Sequence, residues 1–178
     1  MVVRKEDPRH QEIWDRLALV TDPELDEPVT ELGFVERLEV GPGNEVVIEF
    51  RLPTYWCAAN FAFLMVDDIR LAVEAVPWVS KVVPRLQDHM YADAINEGVQ
   101  HGYSFKKTFD ELGADENLDE LRRKFRVKAF QRRQEVLLRW LTDDGYSAAR
   151  TVSMHCAMLH RLHIVVAVAT RPRPAYFA

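Results

Sequence analysis

Glu45-Val46-Val47-Ile48-Glu49-Phe50-Arg51-Leu52 is the stretch on which the fold turns. Val46, Ile48, Phe50 and Leu52 fall on one face of an extended chain, and Glu49 and Arg51 on the other, because successive strand side chains point to opposite faces. Such alternation predicts a half-buried antiparallel strand. Gly33–Val40 is its expected partner, joined through Gly41-Pro42-Gly43-Asn44, whose glycines and proline make a turn. Pro53 ends the hairpin.

Beyond the hairpin, Ala62, Met65, Val66, Ile69, Val73 and Val76 form one helical stripe, with Asp67, Arg70 and Glu74 outside it. A helix over residues 59–76 follows, closed by Pro77. Val79–Leu86 predicts a third strand, in which Pro84 belongs at a sheet edge or a bulge because it has no N–H to donate. Before the hairpin, Ile13, Trp14, Leu17 and Val20 predict an amphipathic helix over 9–20, with Asp7 as N-cap and Pro8 in the first turn. Thr21-Asp22-Pro23-Glu24 stops it. The order α-β-β-α-β predicts an α+β fold, a three-stranded mixed sheet with helices packed on one face.

After Asp88 the texture changes, so two domains are expected, 1–88 and a mainly helical extension, 89–178. Helices are expected over 89–102, ended by Gly102, and over 118–141 and 147–162. Residues 164–170 read as a strand or a buried segment, and 171–178 as an extended proline-rich tail.

Composition excludes several classes. The 178 residues carry a net charge of −5, which argues against nucleic acid as the main partner. The longest apolar runs, Phe61–Val66 and Ile164–Ala169, are far shorter than the roughly 20 residues of a membrane helix. The first residues lack the apolar stretch of a secretory signal. Two cysteines, Cys57 and Cys156, make no disulfide framework, and reduced thiols in the cytoplasm are the simpler expectation. There is no Gly-x-Gly-x-x-Gly, no Cys-x-x-Cys and no nucleophile elbow, so the chain is not expected to be an enzyme.

Cys57 lies between a strand end and a helix start. Unpaired N–H groups and the helix dipole there favour thiolate, the form that ligates metal. The alternative is a small buried apolar residue. Near the other end, Cys156, His160 and His163 are spaced i, i+4, i+7 and would share a helix face. Thiolate and imidazole suit zinc, copper or iron, so Cys57, Cys156, His160 and His163 are the candidate metal ligands. Met154, Met158, Leu159 and Leu162 around the last three offer ordinary packing instead. Residues 118–140 hold eight Arg or Lys against three Asp or Glu. Arg122, Arg126, Arg132 and Arg133 are candidates for docking an acidic partner, and a solvated helix face is the alternative.

Thr21-Asp22-Pro23-Glu24-Leu25 and Val29-Thr30-Glu31-Leu32-Gly33-Phe34-Val35 are followed by the hairpin, a lone cysteine before a helix, and Val76-Pro77-Trp78-Val79-Ser80-Lys81-Val82. In this order residues 13–88 resemble the SufT/PaaD-like iron–sulfur cluster assembly (metal–sulfur cluster biosynthesis) domain family. The resemblance implies a maturation factor for iron–sulfur or other iron proteins, with Cys57 and Asp22 as its functional pair and a transient iron or iron–sulfur cluster as its cargo. The family pattern around the cysteine is Thr-x-Pro-x-Cys-Pro; here Pro53, Tyr55 and Ala58 replace its Thr and two Pro, and Trp56 stands where a small residue is usual. That loop and the long extension resemble the subgroup accompanying bacterial multicomponent di-iron monooxygenases. The implied client is such an oxygenase component or its iron–sulfur reductase. A structural accessory subunit that handles no metal is the alternative. Conventional clusters take about four protein ligands, so one held by cysteines alone would need two protomers or a partner's thiols.

Overall fold

A computed structural model of the protein describes residues 7–109 and 118–161. The chain divides into two compact units, Met1–Arg126 and Val127–Ala178.

In the first unit, α1 (Pro8–Leu17) starts as its sequence dictates. The Asp7 carboxylate accepts the Arg9 N–H at 3.0 Å, Pro8 takes the first turn, and Ile13 and Leu17 are buried. A two-residue antiparallel ladder follows, β1 (Thr21–Asp22) with β2 (Glu27–Pro28), too short for any periodicity to reveal. β3 (Val35–Val40) and β4 (Glu45–Arg51) make the predicted hairpin, with Leu38 opposite Ile48 and Val40 opposite Val46. α2 (Ala59–Glu74) then crosses over to β5 (Lys81–Gln87), which runs parallel to β4. The order β3-β4-β5 makes a mixed sheet with β4 at its centre.

Val46, Ile48 and Phe50 of β4 are fully buried. The opposite sheet face is charged in register. Arg37, Glu49 and Arg85 stand side by side across the three strands, with Glu49 3.5 Å from Arg85 and 3.9 Å from Arg37. Both edges are engaged by side chains. The Asn96 amide accepts from the Leu86 N–H at 2.9 Å and donates to its C=O at 3.0 Å, copying a strand partner on the outer side of β5. Pro84, two residues earlier, faces that same edge, where it lacks a donor no neighbouring strand requires. On β3, His10 Nε2 donates to the Leu38 C=O at 2.9 Å. Occupied edges discourage pairing with other chains.

α2 departs from the predicted single stripe. Phe61, Ala62, Phe63, Leu64, Met65 and Val66 are all buried, and a helix apolar all round needs cover on every side. The sheet and α1 supply part of it. The rest comes from beyond residue 88: α3 (Ala92–Gln100), α4 (Phe105–Thr108) and the first turns of α5 (Leu118–Asp143). Phe105 lies edge-on to Phe63 at 5.7 Å, and Phe125 edge-on to Phe61 at 6.0 Å. The compact unit therefore runs to Arg126, past the composition boundary at 88. Arg122 ties the same helices through charge, reaching Asp67 at 2.8 Å and Asp68 at 2.7 Å.

In the second unit, α5 is closed two residues past its end by Gly145, whose φ of 86° suits a residue without Cβ. Its N–H donates to the Thr142 C=O at 3.0 Å, and that of Tyr146 to the Leu141 C=O at 2.9 Å, a Schellman closure. The single helix predicted over 147–162 is two, α6 (Ala148–Val152) and α7 (Cys156–Arg161). The Ser153 hydroxyl donates to the Arg150 C=O at 2.8 Å, a side-chain bond that competes with continuing the helical ladder. The predictions for 164–170 and 171–178 lie outside the described residues. Among the described residues no helix is long and apolar enough to cross a membrane.

Two predictions follow from this packing. A Cβ at Gly98 would fall within contact of Thr108 Oγ1 and 2.7 Å from its Cγ2. Gly98→Ala should cost about 1–3 kcal/mol by overpacking, against the helix propensity gained; a raised melting temperature would contradict the contact. Burial holds the Asp68 carboxyl above the usual 3.8, against the pull of the Arg122 hydrogen bond. A pKa raised by folding adds stability below the unfolded value and loses it as pH rises through the folded one. In urea melts from about pH 4 to about pH 7, the stability of Asp68→Asn relative to wild type should rise with pH. A flat or falling difference would show that the half-buried carboxyl carries no such penalty.

Candidate functional site at Cys57

The chain leaves the core at Leu52 and re-enters it at α2. Thr54, Tyr55 and Trp56 between them are exposed, while Cys57 is half-buried and packs on the rim of the core. Its Sγ lies 3.0 Å from Thr54 Oγ1. Cys57 immediately precedes Ala58, the N-cap of α2, which has no side chain to cap the helix. The thiol therefore stands where the sequence places it, neither sealed in hydrocarbon nor fully solvated. Tyr55 and Trp56, 54% and 75% exposed, meet edge-to-face at 6.0 Å on the outer side of the loop.

The segment after β5 holds this loop. Arg51 pairs with Asp88 at 3.1 Å, and the Met90 N–H donates to the Tyr55 C=O at 3.0 Å. His89, buried between them in sequence, places Nε2 2.9 Å from the Cys57 C=O. Its Nδ1 is 3.2 Å from the Tyr91 N–H. A carbonyl only accepts and a backbone N–H only donates, so the ring that satisfies both carries its proton on Nε2. Asp88 turns the chain here with a φ of 47°, a conformation that aspartate tolerates better than most residues.

Asp22, the other half of the expected pair, is buried at 2% exposure. Its Oδ1 accepts the N–H groups of Glu24 and Leu25, each at 2.8 Å, and its C=O accepts the Asp26 N–H at 2.7 Å. These bonds close the turn between β1 and β2, and none of them joins Asp22 to the Cys57 loop. The Cys156–His160–His163 group lies at α7 and beyond; the side chains of Cys156 and His160, and all of His163, fall outside the described residues. Among the described residues no three His, Cys, Asp or Glu side chains converge as metal ligands. Of the docking cations, Arg122 has its guanidinium on Asp67 and Asp68. Arg126 and Arg133 are exposed, and Arg132 is half-buried. A separate cavity of about 400 Å³ lies between β5 and α3, lined by Arg85, Asp93, Asn96 and Gln100 among others.

Sequence reasoning passed over His89. It falls at the start of a stretch predicted helical, carries no motif spacing, and binds a carbonyl 32 positions away. The one local signal is a histidine directly after a strand in Asp88-His89, which by itself says nothing of its partner.

Residues 10–83 match the family of iron-sulfur cluster assembly proteins, a stretch that contains Asp22 and Cys57 and stops short of His89. Among solved structures, the domain of unknown function DUF59 from Bacillus anthracis is 24% identical, with a TM-score of 0.41, over 43% of this chain and 72% of that one. No curated protein matches.

If Asp22 acts by closing its turn, Asp22→Asn, which keeps Oδ1, should hold near wild-type stability. Asp22→Ala should lose about 0.5–2 kcal/mol, the usual cost of removing a capping oxygen. Equal losses in chemical denaturation would show that the carboxylate charge, not the acceptor, is what the site needs.

Proposed function

We propose that the protein is a maturation factor that passes iron or an iron–sulfur cluster to a client iron protein, with Cys57 as the thiol that touches the cargo. The observation that supports this is a half-buried thiol braced at the start of a helix, inside the stretch that matches iron-sulfur cluster assembly proteins. On this reading the chain turns over no substrate of its own. The cargo is what it handles.

The chemistry is ligand exchange. The Cys57 thiolate occupies one coordination position on the iron as the donor's ligand leaves, and a client ligand later displaces Cys57. No electron changes hands. One thiolate satisfies about a quarter of a conventional cluster's protein ligands, and among the described residues no three His, Cys, Asp or Glu side chains gather to supply the others. The rest of the shell then comes from the client, from small thiols or from a second protomer. Weak retention of that kind suits transfer better than storage. A reduced thiol is required throughout, which the cytoplasm provides. The client we propose is a component of a multicomponent di-iron monooxygenase or its iron–sulfur reductase, on the strength of the rebuilt loop from Pro53 to Ala58 and the helical extension.

A second reading is an accessory subunit that recognises the oxygenase without handling metal. The altered loop around Cys57 favours it. Measuring the iron content of the client, matured with and without this protein, separates the two. Cys57→Ser should fold normally and leave the client as iron-poor as it is without the factor. Normal loading by Cys57→Ser, together with loss of client association in the Arg132→Glu, Arg133→Glu double variant, would replace the maturation reading with the second.

A further inference from the structure

We infer that His89 is a positioning residue for Cys57, holding the thiol loop through the backbone carbonyl of the cysteine itself. The inference rests on Cys57 being the cargo-contacting thiol, and it adds a residue beyond the stretch that matches the family.

Asp22 and His89 are the buried polar side chains among the described residues. Asp22 serves its own turn, whereas His89 reaches out of its turn to another element. At 5% exposure the ring is sequestered from water, so each nitrogen needs a protein partner. Nδ1 takes the Tyr91 N–H, which fixes the ring against its own backbone, and Nε2–H is thereby aimed at the Cys57 C=O. The Tyr91 ring, 6.1 Å away centroid to centroid, packs beside it and is itself held edge-on by Phe109 at 5.5 Å. The carbonyl so gripped belongs to the peptide that joins Cys57 to Ala58, the N-cap of α2. Fixing that peptide fixes the direction of the Cα–Cβ bond carrying Sγ, and with it the approach to Thr54. Without the Nε2 donor, the segment after β5 holds the loop through the Met90–Tyr55 bond and the exposed Arg51–Asp88 pair. Neither touches Cys57.

The test needs no client. Alkylation of the full chain by iodoacetamide is followed on the peptide that contains Cys57, so that Cys156 does not interfere. His89→Phe fills the space without a donor, and Cys57 should react about three- to ten-fold faster, the factor that goes with losing one hydrogen bond. His89→Gln, whose amide can reach the same carbonyl, should return the rate to within about two-fold of wild type. Leu17→Ala removes core packing in α1, lowers the melting temperature by cavity formation, and should leave the Cys57 rate unchanged. A rate in His89→Phe indistinguishable from wild type, or an equal rise in Leu17→Ala, would overturn the assignment. Nitrogen-15 spectra of the wild-type imidazole give a reading that does not depend on any variant folding. Protonated Nε2 with an accepting Nδ1 is expected, and the opposite tautomer would refute the geometry. In the client assay His89→Phe should lower iron loading and His89→Gln restore it; full loading by His89→Phe would leave His89 without a positioning role. Normal loading by Cys57→Ser would instead remove the maturation reading, leaving the alkylation rates to decide what His89 holds.

Discussion

The first turns of α2 are apolar on every side, and most of the first unit is arranged to answer that. A helix lying on a sheet can bury one stripe against it; Phe61, Phe63 and Leu64 lie buried beside the Ala62, Met65 and Val66 side chains. Each such side chain is worth about 1.5–3 kcal/mol when buried. Leaving three of them in water would consume much of the few kcal/mol by which a domain is stable. α1 covers part of the rest, and α3, α4 and the start of α5 complete it with Phe105, Phe109 and Phe125.

That demand also places the thiol. The buried start of α2 anchors one end of the loop from Pro53 to Ala58, and buried Leu52 anchors the other. The segment that leaves β5 to form α3 must pass beside this loop. On its way it contributes the Asp88, His89 and Met90 contacts. The brace on Cys57 is thus a by-product of how the helix is covered. Packing and site cannot be altered independently near residue 89.

Charge plays a narrower part. The Arg37–Glu49–Arg85 row keeps the outer sheet face wet, and exposed pairs of this kind contribute little to stability. Arg122 is different, because its fork engages two carboxylates of α2 at once. It resembles its neighbours in sequence, but its guanidinium lies where α5 meets α2 and pairs with both Asp67 and Asp68. A run of basic residues on a helix thus holds one internal tie among cations that are exposed or half-buried.

How much of this was legible in the chain follows from the range of each interaction. The strict alternation of β4, the Asp7-Pro8 start of α1, the glycine closure at 102 and the edge position of Pro84 were all readable, because a strand face, a cap and a turn are settled by neighbours. The position of Cys57 at a helix mouth was readable for the same reason, and the ordered motifs from Thr21 to Val82 pointed to the family later matched over residues 10–83. The extent of the first unit to Arg126 and the role of Arg122 were not, since each depends on which surfaces meet. The His89 bond to Cys57 spans 32 positions and leaves no periodic trace. The amino-acid order alone determined the α-β-β-α-β core and the thiol's place in it. Only the tertiary structure decided what covers α2 and what grips the cysteine, because a contact between distant segments exists only once both are folded against the same core.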